Sequence, residues 1–485
     1  MLRLSRRIRF PVSIAGIALF LSIPALVLAF MAQRGTLRSA DSNSSLHSVI
    51  ARMNLLQSFR GDPRRDPPRL WRERLGMKLA SDLWSRQGRG LWWQAWSDDG
   101  AGYLILPSRL WPSKTSSRLA EVHLGGIVVI GVDGLHRQQL LKILDGGISE
   151  PISKEQRLQR FCLSQLLHKP AVMWSAEGLA AISGSLVPLL QVARVGCLSL
   201  EIKGSSLHWQ GVVGSRSFSS APSRLRPKPQ ARFADLLSFS SKNRPDDLLL
   251  SLKSTRSDLL FGSLLSRRII RDPLETDYGL TQKDRLKLGL APLDLMLMEQ
   301  RDGRYQASIQ MQMLLAGGAP RWSPVLDAVS ARLQERGFDQ STVPESGVKS
   351  PAQASSRTTI WSRTDAGKTA VVGGWTWHHS KTNQNHKTNQ NHNSLHNRLD
   401  LSLGAAPLSR PGLPTPQLAA DTPLRLWADP SRLEKLGMLS GNWPAPVQKA
   451  QQLQLQLSEL EGSQAGSKSW WWMQGQLSLA QPETP

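Results

Sequence analysis

The sequence predicts an α+β protein, with an N-terminal transmembrane helix followed by two or three antiparallel-sheet modules with packed helices. Three observations lead to this fold class. Residues 10–32 carry no charge, several short segments alternate apolar and polar residues around Asp-Gly turns, and other segments repeat apolar residues every three or four positions. At about 1.5 Å per residue, the uncharged run is long enough to cross a ~30 Å hydrocarbon layer as a helix.

Arginines flank this run unequally, with Arg3, Arg6, Arg7 and Arg9 directly before it. This asymmetry predicts a cytoplasmic N-terminus, with the bulk of the chain periplasmic or lumenal. A cleaved signal peptide ending near Ala29 is the other interpretation, and it also exports the chain. A cytosolic protein would instead need a buried core helix of this length.

The composition indicates a globular and strongly basic protein. Of 485 residues, 40% are hydrophobic and 20% charged, and 60 basic residues against 37 acidic ones give a net charge of +23. Basic surfaces attract anions, so the expected partners are the lipid bilayer, an anionic lipid or wall polymer, and a membrane protein. Nucleic acid is not expected, because no helix-turn-helix, zinc-finger or RNA-binding motif is present.

Changes in composition predict seven segments. They are a transmembrane anchor or signal (1–32), a juxtamembrane amphipathic helix and basic linker (33–69), an N-terminal α+β module (70–214), a basic linker (215–232), a middle α+β module (233–339), a second linker (340–357), and a C-terminal module (358–485) with a disordered insertion at 378–420.

Local patterns predict individual elements within these segments. Helical spacing of apolar residues predicts one amphipathic helix from Leu46 through Leu56, and a second helix that Ser323 caps and Gly337 ends. Alternation predicts four hairpins, at 91–106, 198–213, 293–315 and 453–479, and strands at 358–361 and 370–377.

Two stretches share a pattern that suggests an internal repeat. Pro170, Trp174 and Gly184 recur at the same spacing as Pro423, Trp427 and Gly437, and each set precedes a predicted helix and hairpin. Within the hairpins, the motif at 208–211 corresponds to that at 472–475. Duplication of a strand-helix-hairpin module explains the match, with the middle region as a degraded third copy; coincidence is the alternative. Duplication predicts that the two tryptophans are equivalent buried anchors.

This arrangement resembles an uncharacterised family of cyanobacterial single-pass membrane proteins with repeated strand-helix-hairpin modules. The resemblance rests on the Pro-x3-Trp starts at Pro170 and Pro423, on the Thr359-Ile360-Trp361 strand and on the hairpins. It implies a location and an architecture, and it carries over no catalytic residues. The histidine-rich insertion departs from the family pattern.

No catalytic, cofactor-binding or metal-binding residue is predicted. The segment 367–369 ends like a phosphate-binding loop, but Ser362 stands where that loop needs glycine. The serine–lysine spacing at 346–349 falls in a linker, where chance explains it better. Five histidines crowd a polar tract without carboxylate or thiolate, so a tolerant loop is favoured over a weak metal site; they are His378, His379, His386, His392 and His396.

The cysteines and tryptophans leave alternatives open. Cys162 and Cys197 lie in apolar segments and form either a disulfide or two buried thiols. Trp92, Trp93 and Trp96 share one strand, and 470–472 is a second tryptophan cluster. Adjacent strand residues point to opposite faces, so some indoles must face outward or meet a second layer. Outward indoles suit sugars, membrane interfaces or protein partners.

These observations predict a membrane-anchored, outward-facing, non-catalytic protein that binds or assembles components at the cell envelope or an internal membrane. The alternative is an envelope enzyme that acts on an anionic wall or lipid substrate, with a site assembled from residues that form no local motif. Perturbed acids or histidines gathered in one place would favour the enzyme.

Overall fold

The computed structural model describes residues 43–50, 52–97, 100–112, 119–145, 157–183, 191–215, 245–265, 267–301, 304–315, 317–344, 357–365, 367–379, 397–407, 423–439, 445–460 and 470–479. Antiparallel strands dominate these ranges, and helices fill the connections between them.

The eighteen strands found in these ranges are β1 (Leu55–Arg60), β2 (Leu91–Trp96), β3 (Gly102–Pro107), β4 (Glu121–Leu124), β5 (Ile127–Ile130), β6 (Ala171–Trp174), β7 (Val195–Lys203), β8 (Ser206–Gly214), β9 (Leu248–Ser254), β10 (Leu293–Glu299), β11 (Ala307–Leu315), β12 (Asp339–Pro344), β13 (Arg357–Asp365), β14 (Lys368–His379), β15 (Asn397–Leu403), β16 (Leu424–Ala428), β17 (Ala450–Glu459) and β18 (Trp470–Leu479).

The twelve α-helices of the same ranges are α1 (Asn43–Ile50), α2 (Arg69–Leu75), α3 (Met77–Gln87), α4 (Gly134–Asp145), α5 (Arg157–His168), α6 (Ala176–Ser183), α7 (Asp258–Leu265), α8 (Arg268–Thr276), α9 (Gln282–Gly289), α10 (Gly318–Glu335), α11 (Pro430–Lys435) and α12 (Ala445–Gln448). A short 3₁₀ turn, Ser108–Leu110, follows β3.

The chain divides into two compact units. Unit A comprises residues 12–230 together with 439–485, and the described part of unit B lies within 231–438. In unit A, antiparallel ladders join the strands in the order β4, β5, β3, β2, β1, β6, β7, β8, β18, β17. The last hairpin of the chain therefore belongs to the same sheet as the first strand.

Apolar side chains cover both faces of the unit A sheet around β1 and β2. Trp93 faces a core that includes α1 and α5, whereas its neighbour Trp92 faces a second core that includes α2 and α3. In the second core, Trp92 stacks on Phe59 at 4.4 Å between ring centroids and meets Trp71 edge-on at 5.7 Å. The consecutive residues Trp92 and Trp93 thus fill the cores on opposite faces of the sheet. The sequence allowed either this arrangement or an outward-facing indole.

In unit B, ladders join the strands in the order β16, β9, β10, β11, β15, β14, β13, β12, again all antiparallel. The hairpin predicted at 293–315 is observed as β10 and β11. Helices α7 to α9 connect β9 to β10, and α10 connects β11 to β12. Thr281 and Asp284 form a capping box that starts α9.

The predicted fold class is wrong. Long antiparallel sheets, of ten strands in unit A and eight in unit B, and not two or three small modules, make up most of the described structure. Of the strands in the segment 358–485, β13 to β16 lie in unit B and β17 and β18 in unit A. Local periodicity identifies each hairpin. It does not show which other strand the hairpin pairs with, because that strand can lie far away in the sequence.

The membrane prediction is likewise corrected. No helix in the described ranges combines the length and apolarity needed to cross a bilayer. Residues 1–32, on which the prediction rested, lie outside those ranges. The transmembrane helix, the single-pass topology and the outward-facing placement are therefore not retained.

Several local predictions need smaller corrections. The helix expected from Leu46 to Leu56 ends at Ile50, and β1 begins at Leu55. Directly before β1, the Asn54 N–H donates a hydrogen bond to the Trp96 carbonyl. Helix α10 starts at Gly318, so Ser323 lies inside it and is not its N-cap, which is Gly317. The insertion predicted at 378–420 contains the end of β14 and all of β15.

The two cysteines are free thiols. Cys162 of α5 and Cys197 of β7 are both fully buried in the same core cluster. Burial, and then the adjacent Cys197 thiol, raise the pKa of Cys162 well above its usual value. The sequence left open either a disulfide or two buried thiols, and the structure has the two buried thiols.

Candidate functional site

A patch of uncharged polar side chains lies on one face of the four strands β7, β8, β18 and β17. Residues directly opposite each other in an antiparallel ladder share a face. One row across the strands is Ser199, Gln210, Gln474 and Gln456, and the next contains His208, Gln476 and Gln454. We call these seven residues the glutamine face.

The alternation of glutamine and leucine in β17 explains why these polar side chains share one face. The segment 452–457 alternates glutamine and leucine, so the leucines point to the opposite face of the sheet. That opposite face is apolar and buried throughout the four strands, with Leu198, Leu200, Trp209, Met473, Leu453, Leu455, Leu457 and Leu477. Burial of this leucine face fixes the register and leaves the glutamines together on the other side.

Several amide atoms of the glutamine face are buried. Among those without a hydrogen-bond partner in the described residues are Oε1 of Gln454, Nε2 of Gln474 and Oε1 of Gln476. The Nε2 of Gln476 does donate, to Ser478 Oγ at 3.0 Å and Ser206 Oγ at 3.2 Å. A buried polar atom without a hydrogen-bond partner lowers the stability of a protein by about 1–3 kcal/mol. A polar ligand that reached these atoms would therefore gain hydrogen bonds.

The two ends of the glutamine face differ chemically. At one end, Trp472 lies two residues from Gln474 on the same face and meets Phe161 edge-on, at 6.3 Å between centroids. At the other end lies His208, opposite Glu201. Burial, and secondarily the positive charge of Lys203, lower the pKa of His208, so its imidazole is neutral at pH 7. The centre of the face thus carries no formal charge.

Unit B has a different polar feature, a ladder of charged side chains across its sheet. Directly opposite residues run from Asp400 through Gln312 and Asp294 to Lys253. Asp294 and Lys253 form an ion pair at 3.2 Å between carboxylate and ammonium. We call this row the charged ladder.

Burial dominates the electrostatics of Asp294. Loss of solvent raises the pKa of this carboxyl group, although the ammonium of Lys253 acts in the opposite direction. Asp400 is also buried, and it lies 2.9 Å from both the Arg398 Nε and the His378 Nε2. Those two nitrogens are poorly aligned for hydrogen bonds, and the aligned bond comes from Arg398 Nη2 at 3.1 Å.

The structure places only part of the predicted polar tract. His378 lies in β14 beside Asp400, and His379 is the last residue of that strand. His386, His392 and His396 lie outside the described ranges, as does 346–349. In the segment 367–369, Gly367 lies in the turn before β14 with a φ of 76°, and residues 368 and 369 begin that strand, so no helix follows. Within the described ranges, no group of three potential ligands could hold a metal ion.

Sequence reasoning missed both polar features. The alternation at 452–457 predicts a strand, but it does not show what the glutamine side of that strand faces. The charged ladder joins residues from β9, β10, β11 and β15, which are distant in sequence. No local spacing could have identified it.

Comparison with known proteins gives no further guidance. The chain matches no protein-family model, no curated protein and no solved structure.

Proposed function

We propose that this is a non-catalytic binding protein whose ligand is a neutral, hydroxyl-rich molecule, such as a sugar or a short glycan, held by the glutamine face. The single observation that carries the proposal is the set of buried amide atoms without partners on an uncharged patch, among them the acceptors of Gln454 and Gln476 and the donor of Gln474.

Hydroxyl groups fit these atoms best. A hydroxyl both donates and accepts, so neighbouring hydroxyls on one ligand could serve the acceptors of Gln454 and Gln476 and the donor of Gln474. A charged ligand would have to lose its hydration against a face that offers no opposite charge, which is costly. Trp472 at the edge adds an aromatic surface suited to the apolar face of a sugar ring.

Titration calorimetry with the full-length protein tests this proposal. Neutral oligosaccharides should bind, and oligosaccharides of similar size that carry uronic acids should bind more weakly. Replacing Gln474 by Leu should weaken binding roughly tenfold, the equivalent of about 1.4 kcal/mol. The matched control is Gln451→Leu, a substitution at an exposed position in the bulge of β17. Equal loss in both variants, or no binding of any neutral oligosaccharide, would contradict the proposal.

One observation favours the rival function, an enzyme. The raised pKa of Asp294 gives unit B a carboxyl group suited to donate a proton, on the same sheet face as Asp400. The pairing of Asp294 with Lys253 is also what a buried structural ion pair would show. Hydrolysis of an anionic wall polymer or lipid that is lost in Asp294→Asn, with the fold intact, would support the enzyme.

A further inference from the structure

Helix α8 in unit B covers no core. None of its residues is buried, and Ile269 in its first turn is 82% exposed. Surface helices normally bury an apolar stripe against their own protein, and helices this short are marginal in water without such burial. Ile270 and Leu274 are half-buried, so the apolar side of α8 is partly covered, and Ile269 is left exposed on it.

Helix α9 also exposes apolar side chains. Leu286 and Leu290 are 63% and 61% exposed and lie four residues apart, so they share one side of the chain where α9 ends. Only residues 277–281 separate the two helices, and the Arg285 Nη1 meets the Glu275 Oε2 at 3.2 Å. The three exposed apolar side chains thus lie on two successive helices, and we call these helices and their connection the α8–α9 hairpin.

Basic residues surround these apolar side chains. Between positions 267 and 290 there are six basic and four acidic residues. Three of the acids are already held in ion pairs, Asp272 with Arg268 and Arg271, Glu275 with Arg285, and Asp284 with Arg321. Arg267 and Arg268 are exposed at the start of α8, where the helix dipole disfavours positive charge. The ion pair with Asp272 stabilises Arg268 within the helix, whereas no ion pair of this kind among the described residues explains Arg267.

We propose that the α8–α9 hairpin docks on the surface of an anionic lipid bilayer. Ile269, Leu286 and Leu290 enter the boundary between headgroups and acyl chains, and the surrounding arginine and lysine side chains contact lipid phosphates. Exposed apolar residues within a basic surface are the pattern by which interfacial helices bind such membranes. This contact requires no spanning helix, and it involves residues separate from the glutamine face.

Flotation of the full-length protein with lipid vesicles tests the proposal. The protein should float with vesicles that contain phosphatidylglycerol, float less with pure phosphatidylcholine, and be released by salt. Ile269→Asn should reduce binding to the anionic vesicles about tenfold. Because Ile269 is so exposed, this substitution should leave the fold intact. Arg267→Gln combined with Arg268→Gln should weaken the preference for phosphatidylglycerol.

Leu135→Asn provides the matched control, since Leu135 is a 62% exposed apolar residue of α4 in unit A. It should bind vesicles as the wild-type protein does. All variants keep residues 1–42, so any contribution of that segment is common to them. Undiminished binding by Ile269→Asn would overturn the proposal. So would self-association that Ile269→Asn abolishes without an effect on vesicle binding, which would assign the surface to a second copy of the chain.

Discussion

Gln210 of β8 lies directly opposite Gln474 of β18. Each directly precedes the glycine of its motif, Gly211 or Gly475, and the same ladder places Trp209 opposite Gly475. The register therefore pairs the glutamine of one motif with the glutamine of the other, and it pairs the tryptophan of the first motif with the glycine of the second. The internal duplication that the sequence predicts from residue identities stays a prediction.

The pairing of other strands extends the comparison. In unit A, β1 pairs with β2 and β6, and in unit B, β9 pairs with β10 and β16. Trp174 and Trp427, at the ends of β6 and β16, are both buried. The middle region thus resembles the segment that contains β1 to β3, and not a third copy of the strand-helix-hairpin module. The hairpins that follow the two tryptophans pair differently, because β6 pairs with β7 of its own hairpin, whereas β16 pairs with β9 and the hairpin of β17 and β18 lies in unit A. The duplication remains a prediction.

Close packing of glycine against tryptophan gives the first prediction. A Cβ on Gly475 would lie 2.2 Å from the ring of Trp209, so Gly475→Ala should lower the free energy of unfolding by about 1–3 kcal/mol. Chemical denaturation measures this. Gly134→Ala is the control, because nothing lies within 4 Å of its Cβ position. Equal effects of the two substitutions would show that the contact with Trp209 is not tight.

The buried carboxyl of Asp294 predicts a pH dependence of stability. A raised pKa means that the folded protein holds this proton more tightly than the unfolded chain does. The contribution of Asp294 to stability therefore falls as pH rises from the ordinary value of 3.8 to the raised pKa, and stays constant above it.

Asp294→Asn cannot titrate, so wild type should lose stability relative to this variant across that acidic window. Urea denaturation of both proteins at a series of pH values measures the difference. A difference that is independent of pH, or one that changes in the opposite direction, would show that the ammonium of Lys253 outweighs burial.

The buried thiols predict low reactivity. Cys162 and Cys197 are inaccessible, and the raised pKa of Cys162 keeps it protonated at neutral pH. Alkylation followed by mass spectrometry should label neither residue in the native protein and both in urea. Rapid labelling of the native protein would mean that α5 separates readily from β7.

The sequence was informative where structure is local. Alternation identified hairpins such as 91–106 and 293–315 because a period of two residues can be recognised from adjacent residues alone. It could not show that β18 pairs with β8, since that ladder joins positions far apart in the chain. The glutamine face depends on the same long-range pairing. The glutamines of β17 could be recognised as one side of a strand, but their position opposite β18 could not.

The most direct test of the proposed binding site measures stability and affinity in the same variant, Gln474→Leu combined with Gln454→Leu. If these amides are kept for a ligand, removing buried polar atoms without partners should leave the ligand-free protein as stable as wild type, or about 1–3 kcal/mol more stable. Affinity for neutral oligosaccharides should be lost in the same protein. A large loss of stability would contradict the account, because it would show that these glutamines hold the sheet together.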